Sequence, residues 1–403
     1  MMSKVLSYKL YCFFLLLMIL WSQHAWFTWG LDSNKILGYF VYVLFLWITL
    51  VYKKKNKISI AFEKKETTAL LLFGLGLLLS MDSIKSLPAN ILIYYPLLII
   101  VSDKKNSTSC LDTLSKIIGI IVAIGIIPYL LWLNDTLSIV GKPIAYDMDY
   151  DIFTNYYLFI AAPTAFTGYR YHSVFLEPGY LGTMCALFLY INNYNLKKYY
   201  NVFFLVALIL SLSLAGYVLA VIGYFLYVGI QKRSIVKALF FVGVIGSIFF
   251  FVAQFDDGDS DVNNLIVERL KYDEEKGISG NDRFGENTER LYQQTLNSWD
   301  FLFGIDKNTF YASKLEGSGY KIYIIHYGII SYILIWAFYW VMASTSRERK
   351  KTLTLCFLLY LCFLKATDPC TYSWLLPFLL YVNKYKQVEI KENTKLVEQK
   401  TSN

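Results

Sequence analysis

Apolar blocks of roughly 15 to 25 residues, broken by short lysine clusters, follow one another along most of this 403-residue chain, and that is the spacing a bilayer imposes on helices that cross it. Composition agrees. Hydrophobic residues make up 56% of the chain and charged residues only 17%, where a soluble domain carries about a quarter charged. Trp21, Trp26 and Trp29 gather at one block edge, as expected of rings that settle at headgroup level. The fold class expected is all-α, a polytopic integral membrane bundle of about twelve transmembrane helices. The spans fall near 8–27, 36–52, 67–82, 88–102, 116–133, 174–192, 201–213, 215–230, 236–254, 320–343, 352–365 and 371–383.

Charge tests this count independently. With the N-terminus inside, one side collects Lys53 to Lys57, Lys64, Lys65, Lys104, Lys105, Lys116, Lys197, Lys198, Lys232, Arg233, Lys237 and the cluster Arg347 to Lys351. Lys4, Lys9 and the lysines of the tail join them, as orientation by loop Lys and Arg requires. An odd number of spans would break that agreement. The net charge of +8 is therefore explained by topology, and no nucleic-acid partner is expected. Cys12, Cys185, Cys356 and Cys362 fall inside apolar blocks and only Cys370 lies on the expected outer face, so no external disulfide framework is expected. The run from Tyr11 to Trp21 has no small-x-small cleavage site after it and reads as an uncleaved first span.

The expected organisation is a transmembrane domain over 1–383 and a disordered cytoplasmic tail over 384–403. Two outer segments, about 134–173 and 255–319, are longer than connection needs. The first contains Asp147, Asp149 and Asp151; the second holds nearly half of the 30 acidic residues. Within it, 281–302 has helical spacing, with Leu291, Leu296 and Phe301 among polar residues.

Arginine use is the sharpest chemical signal. Among 38 basic residues only seven are arginine, and four of these, Arg170, Arg269, Arg283 and Arg290, fall on the outer face. Where lysine is the default cation, arginine suggests the planar fork that grips phosphate or carboxylate through two parallel hydrogen bonds. The plainer alternative is pairing with loop acids, as for Arg269 beside Glu268.

Arg170 stands in the stretch Arg170-Tyr171-His172-Ser173-Val174-Phe175-Leu176-Glu177-Pro178-Gly179-Tyr180-Leu181-Gly182. Proline favours the first helical turn, so a helix is expected to begin at Pro178. From there to Ile191 is about 21 Å, short of the hydrocarbon core of about 30 Å. The preceding segment should then enter as non-helical backbone, tolerated only against protein or a water-filled cavity. Glu177 would sit at a helix N-terminus, where the dipole favours an ionised carboxylate. The alternative is an Arg170–Glu177 pair that merely holds the loop. His172 is a candidate base or hydrogen-bond donor; His24 and His326 read as packing residues. The run Asp256 to Asp261 has spacing that could hold a divalent cation but reads better as a solvated linker, so no metal and no cofactor are expected. No Gly-rich phosphate loop, HExxH or GxSxG occurs.

Four features give the chain a resemblance to the O-antigen or oligosaccharide repeat-unit polymerases of the Wzy type. They are the stretch Arg170 to Gly182, the turn Leu210-Ser211-Leu212-Ser213-Leu214-Ala215-Gly216, the outer loop whose arginines precede Leu302-Phe303-Gly304-Ile305, and Gly317-Ser318-Gly319-Tyr320 with Tyr327-Gly328-Ile329-Ile330 opening the next span. The resemblance covers about 165 to 335. It implies a GT-C-like fold in the bacterial inner (plasma) membrane, contributing to lipopolysaccharide or capsule synthesis. A glycan repeat unit on undecaprenyl diphosphate would pass to a second unit on the periplasmic face, releasing the carrier diphosphate. Partners implied are that lipid-linked oligosaccharide, the bilayer and a chain-length regulator protein. Arg170, Arg283, Arg290 and Tyr320 would bind substrate, and Glu177 or His172 would orient the acceptor or take its proton. Two departures stand out. Leu214 occupies a position where many relatives carry Arg or Lys, and His326, nine residues past Gly317, does not match the histidine of the related ligases. The competing readings are a ligase and a polysaccharide flippase; flippases have short loops and ionisable residues lining the bundle.

Overall fold

The computed structural model describes residues 3–81, 84–136, 140–146, 152–161, 169–231, 234, 236, 272–273, 277–278, 285–315, 319–364 and 368–386, and it is mostly helical. The N-terminal part holds α1 (Lys4–Trp21), a short α2 (Trp29–Ser33), α3 (Lys35–Asn56), α4 (Lys64–Leu79), α5 (Leu87–Ser102), α6 (Ser107–Ile124) and α7 (Ile126–Leu133). Strands β1 (Lys142–Ile144), β2 (Phe153–Asn155) and β3 (Ile160–Ala161) follow, then α8 (Pro178–Ile191), α9 (Tyr199–Leu210) and α10 (Leu214–Leu226). After β4 (Tyr272–Asp273) and β5 (Gly277–Ile278) come α11 (Glu286–Leu296), α12 (Asp300–Phe303), α13 (Lys307–Ala312), α14 (Tyr320–Ser344), α15 (Arg349–Phe363) and α16 (Tyr372–Lys384).

Among the described residues four stretches are long and apolar enough to cross a membrane: Lys4–Trp21, Lys35–Asn56, Ser107–Leu133 and Tyr320–Ser344. Helices also occupy the other expected spans, except 236–254, of which only residue 236 is described. One side of α3 leaves Ile36, Phe40, Val43 and Trp47 exposed. A run of large apolar side chains facing outward marks a surface meant for a non-aqueous neighbour.

Local chemistry sets the helix ends. Asn34 accepts from the Leu37 amide at 3.1 Å to cap α3, and the Glu66 carboxylate reaches back to the Glu63 amide at 2.8 Å in a capping box that starts α4. The ion pairs then show which ends lie together. Glu66 is sealed from solvent between Lys386 at 2.7 Å and Lys104 at 3.2 Å, and Lys104 also reaches Glu63 at 2.7 Å. Asp112 is 2.8 Å from Lys116 and 3.3 Å from Lys198, and the Lys351 ammonium lies 4.8 Å from the centre of the Tyr385 ring. These are clusters that the sequence assigns to one side. The expected tail of 384–403 needs a correction at its start: through Lys386 the chain is packed, because Lys386 fills a carboxylate pocket, while the rest of that expectation, over 387–403, lies outside the described residues.

Close helix contact rests on small residues, the usual device where the surrounding lipid is as apolar as the interface. A side chain added at Gly182 would stand 2.6 Å from Ser213 Cβ, and one at Gly216 would stand 2.8 Å from the Gly182 backbone, so α8 and α10 touch through glycine on both sides. A side chain at Gly76 would meet Ile335 at 2.7 Å, and Ser331 donates to the Gly76 carbonyl at 3.0 Å, which locks α4 to α14.

The two long segments expected on the outer face contain structure that helical spacing did not announce. In the first, β1, β2 and β3 form an antiparallel sheet with Lys142 opposite Asn155 and Thr154 opposite Ala161. Phe153 and Ile160 bury against Trp29 and Leu176. In the second, the helix expected over 281–302 is found as α11 and α12, broken at 297–299, with 281–284 outside the described residues.

Candidate functional site

The sequence candidates separate into two neighbourhoods at the end of the bundle opposite the lysine clusters. The first forms around residues 170–177. The backbone here is non-helical, and from Arg170 to Leu176 each residue is buried, so the segment ahead of Pro178 is walled by protein. Its polar groups are satisfied by neighbouring main chain, as buried backbone requires. The Tyr171 amide donates to the Leu210 carbonyl at 3.1 Å, the Ile160 amide to Ser173 O at 3.0 Å, and the Trp26 amide to Val174 O at 2.9 Å. Tyr171 Oη donates to Val122 O at 2.6 Å. Ser173 takes a left-handed φ of 54° at the turn.

Arg170 donates from Nε to the Ser211 carbonyl at 3.1 Å. That carbonyl closes α9, where the helix dipole concentrates negative charge, so the guanidinium is seated on the end of a helix. Ser213 then opens α10, its hydroxyl accepting from the Gly216 amide at 3.2 Å. The motif from Arg170 to Gly182 and the turn from Leu210 to Gly216 thus form one packed unit.

Glu177 is the N-cap of α8, which begins at Pro178 as the sequence predicts. It is partly exposed, and its Oε2 lies over the first turn, 3.9 Å from where a side chain on Gly179 would begin. His172 is different. It is sealed from solvent, and its Nδ1 donates to the Phe175 carbonyl at 2.6 Å, which leaves Nε2 as the lone-pair nitrogen, buried without a partner. Burial, with a smaller push from the Arg170 charge and against the Phe175 hydrogen bond, lowers its pKa to about 4. It is a neutral imidazole at neutral pH.

His24 borders this corner. Its Nδ1 is 2.9 Å from Tyr146 Oη and 3.5 Å from Asp32 Oδ2, and its ring lies 5.9 Å from that of Tyr180, on the first turn of α8. Sequence reasoning treated His24 as packing. Nothing in the spacing announces this cluster, because 122 residues separate the two partners.

The second neighbourhood sits over the head of α14. Arg290 is on α11 and donates to Asn287 Oδ1 at 2.7 Å, while Asn287 donates to the Ser313 carbonyl at the end of α13 at 2.8 Å. One residue earlier on α11, Glu289 pairs with Lys321, whose ammonium holds the carboxyl below its ordinary range. Tyr320 meets Tyr292 edge to face at 6.1 Å. Gly328 breaks α14 with φ 78° and ψ 166°, and the gap admits α12. A side chain at Gly328 would stand 2.3 Å from Leu302 O, and one at Gly304 would stand 2.2 Å from His326 O. The Ile305 amide takes up the Ile325 carbonyl at 2.8 Å. The third and fourth motifs are therefore interlocked, as are the first and second. His326 is stacked on Phe310 at 3.7 Å and on Tyr327 at 3.9 Å.

The structure thus brings Arg170, His172 and Glu177 together, and separately Arg290 and Tyr320. Arg269, Arg283 and the acidic run 256–261 lie outside the described residues. Sequence reasoning missed Lys307, which donates to Met81 O at 3.2 Å. Composition does not mark it, because other lysines, Lys271, Lys276 and Lys314 among them, fall in the same expected outer loop. No family model, curated protein or solved structure matches this chain.

Proposed function

We propose that the chain is a multi-pass glycosyltransferase of the bacterial inner membrane, an O-antigen-type polymerase that joins oligosaccharide repeat units carried on undecaprenyl diphosphate at the periplasmic face. The Arg170 corner carries this reading. A buried guanidinium stands ahead of a short helix whose N-cap is a carboxylate on a face that reads as outer. In the reaction, an acceptor sugar hydroxyl attacks the anomeric carbon of the donor unit, the bond to the carrier diphosphate breaks, and the electron pair leaves with the diphosphate. Fixed guanidinium groups in a poorly hydrated site stabilise that developing charge, a role for Arg170, for Arg290 of the second neighbourhood, and for Arg283, which lies outside the described residues. The hydroxyl proton needs an accessible acceptor. Between the two candidates Glu177 fits better, because it is partly exposed and His172 is enclosed; His172 then fixes the turn that presents Arg170 and Glu177. Tyr320 lies beside the Arg290 helix and would contribute to sugar binding.

Deleting the gene and displaying surface glycan on a gel tests the reading. A ladder collapsing to a single capped repeat unit is expected. Complete loss of surface glycan would overturn it in favour of a flippase or ligase. Restoring the gene with Arg170→Ala should leave the single-unit pattern unchanged.

A further inference from the structure

The Arg170 corner has a second histidine beside it, and His24 differs from His172 in the respect that matters for moving a proton. Among the described residues no hydrogen bond takes up its Nε2, and its side chain is 31% exposed, whereas Nε2 of His172 is sealed. The backbone ties His24 to the motif. Ala25 pairs with Phe175 in an antiparallel bridge, and the Trp26 amide reaches the Val174 carbonyl. The His24 ring lies 5.9 Å from that of Tyr180, whose amide donates to the Glu177 carbonyl at 3.2 Å.

The other ring nitrogen is already engaged. Nδ1 is 2.9 Å from Tyr146 Oη and 3.5 Å from Asp32 Oδ2. A lone pair on Nδ1 would face those of the carboxylate, so the hydrogen belongs there and the lone pair is left on Nε2. Asp32 is held in turn, because Trp21 donates from Nε1 to its Oδ1 at 2.7 Å. Trp29 donates to the His24 carbonyl at 2.8 Å and meets the Tyr146 ring edge to face at 5.4 Å. His24 itself takes a left-handed φ of 51°, a conformation that favours glycine and gathers at functional sites when another residue is held in it. A base oriented by a third group is the general arrangement for activating a hydroxyl.

We propose that His24 is the proton acceptor for the attacking hydroxyl, with Asp32 and Tyr146 as its positioning residues. The assignment rests on the polymerase reading for the identity of the reaction, and it falls on residues outside every motif. As the hydroxyl oxygen bonds to the anomeric carbon, its O–H bond breaks and the proton passes to Nε2. The imidazolium keeps its Nδ1–H toward the Asp32 carboxylate, then gives the added proton to bulk water once the diphosphate has left. Imidazole suits this step better than Glu177 does. It takes up and releases protons near neutral pH, whereas a helix N-terminus favours the ionised carboxylate and so weakens it as a base. Glu177 then orients the acceptor.

The test measures extension by the full chain in nanodiscs, with lipid-linked repeat units extracted from cells lacking the gene. His24→Gly keeps the left-handed backbone and should slow extension at least about a hundredfold, with added imidazole restoring about tenfold of that loss. Asp32→Asn should lower kcat at least about tenfold and leave KM unchanged, because the tautomer is lost and no substrate contact is. Extension by His24→Gly at the wild-type rate overturns the assignment. So does a loss that imidazole leaves untouched in a protein that unfolds at the wild-type temperature. Should His24→Gly unfold early, Asp32→Asn decides, and a raised KM at unchanged kcat overturns the assignment. The two readings fail separately. Wild-type extension by His24→Gly beside an inactive Arg170→Ala removes the base and spares the polymerase, whereas extracted units that the wild-type chain leaves unjoined remove the polymerase itself.

Discussion

The two neighbourhoods at the outward-reading end solve the same problem in opposite ways. Around Arg170 the cation is buried and bound to a main-chain carbonyl; around Arg290 it is on the surface and bound to a side-chain amide. A cation seated on a helix terminus belongs to the fold, and removing it exposes an unsatisfied carbonyl. A surface cation can change without disturbing what lies beneath. The contrast separates a rigid half, in which chemistry and architecture share residues, from a half in which they are divided between α11 and the interlocked backbone of α12 and α14.

That separation can be attacked directly. Arg170→Ala should have the largest effect, abolishing chain extension and lowering stability by about 1–3 kcal/mol, read as a drop in thermal unfolding temperature in detergent; an unshifted temperature would detach the residue from the fold. Gly182→Ala should come next, with about 1–3 kcal/mol lost to overpacking against Ser213 and reduced extension as α8 and α10 separate. Acid should act on the same corner. His172 is held neutral with a pKa near 4 against an ordinary 6.5, so its contribution is complete above pH 6.5 and declines as pH falls toward 4, by about 2 kcal/mol at pH 5. A melting series from pH 7 to pH 5 with His172→Gln, which should lose that dependence, checks the sign. Arg290→Ala should move stability by less than about 0.5 kcal/mol yet reduce extension. A large shift in its melting temperature would erase the distinction between the two regions.

Much of this organisation was legible in the chain. The apolar blocks and their lysine flanks marked where helices would stand, and Pro178 marked the start of α8 because proline suits a first turn and little else in a helix. The stretch from Leu210 to Gly216 announced a tight turn between two spans. Other features were not readable, for physical reasons. Strands of two or three residues, such as β3, are too short to show alternation. The break in α14 at Gly328 is stabilised by Ile305, whose amide answers the freed carbonyl, and a partner twenty residues away leaves no local trace. Arg170 could be seen to matter, but its seat on Ser211 depends on a helix end forty-one residues later.

The pairing of Glu66 with Lys386 has a practical corollary for anyone handling the protein. The turn that ends at Lys386 works as a clasp: its lysine closes a carboxylate that has no contact with water. A reporter fused after residue 386 leaves the clasp shut, while a chain cut at Asn383 strands Glu66 with Lys104 as its remaining counter-ion. Such a truncation should unfasten α4 from the C-terminal helix, far from any sugar.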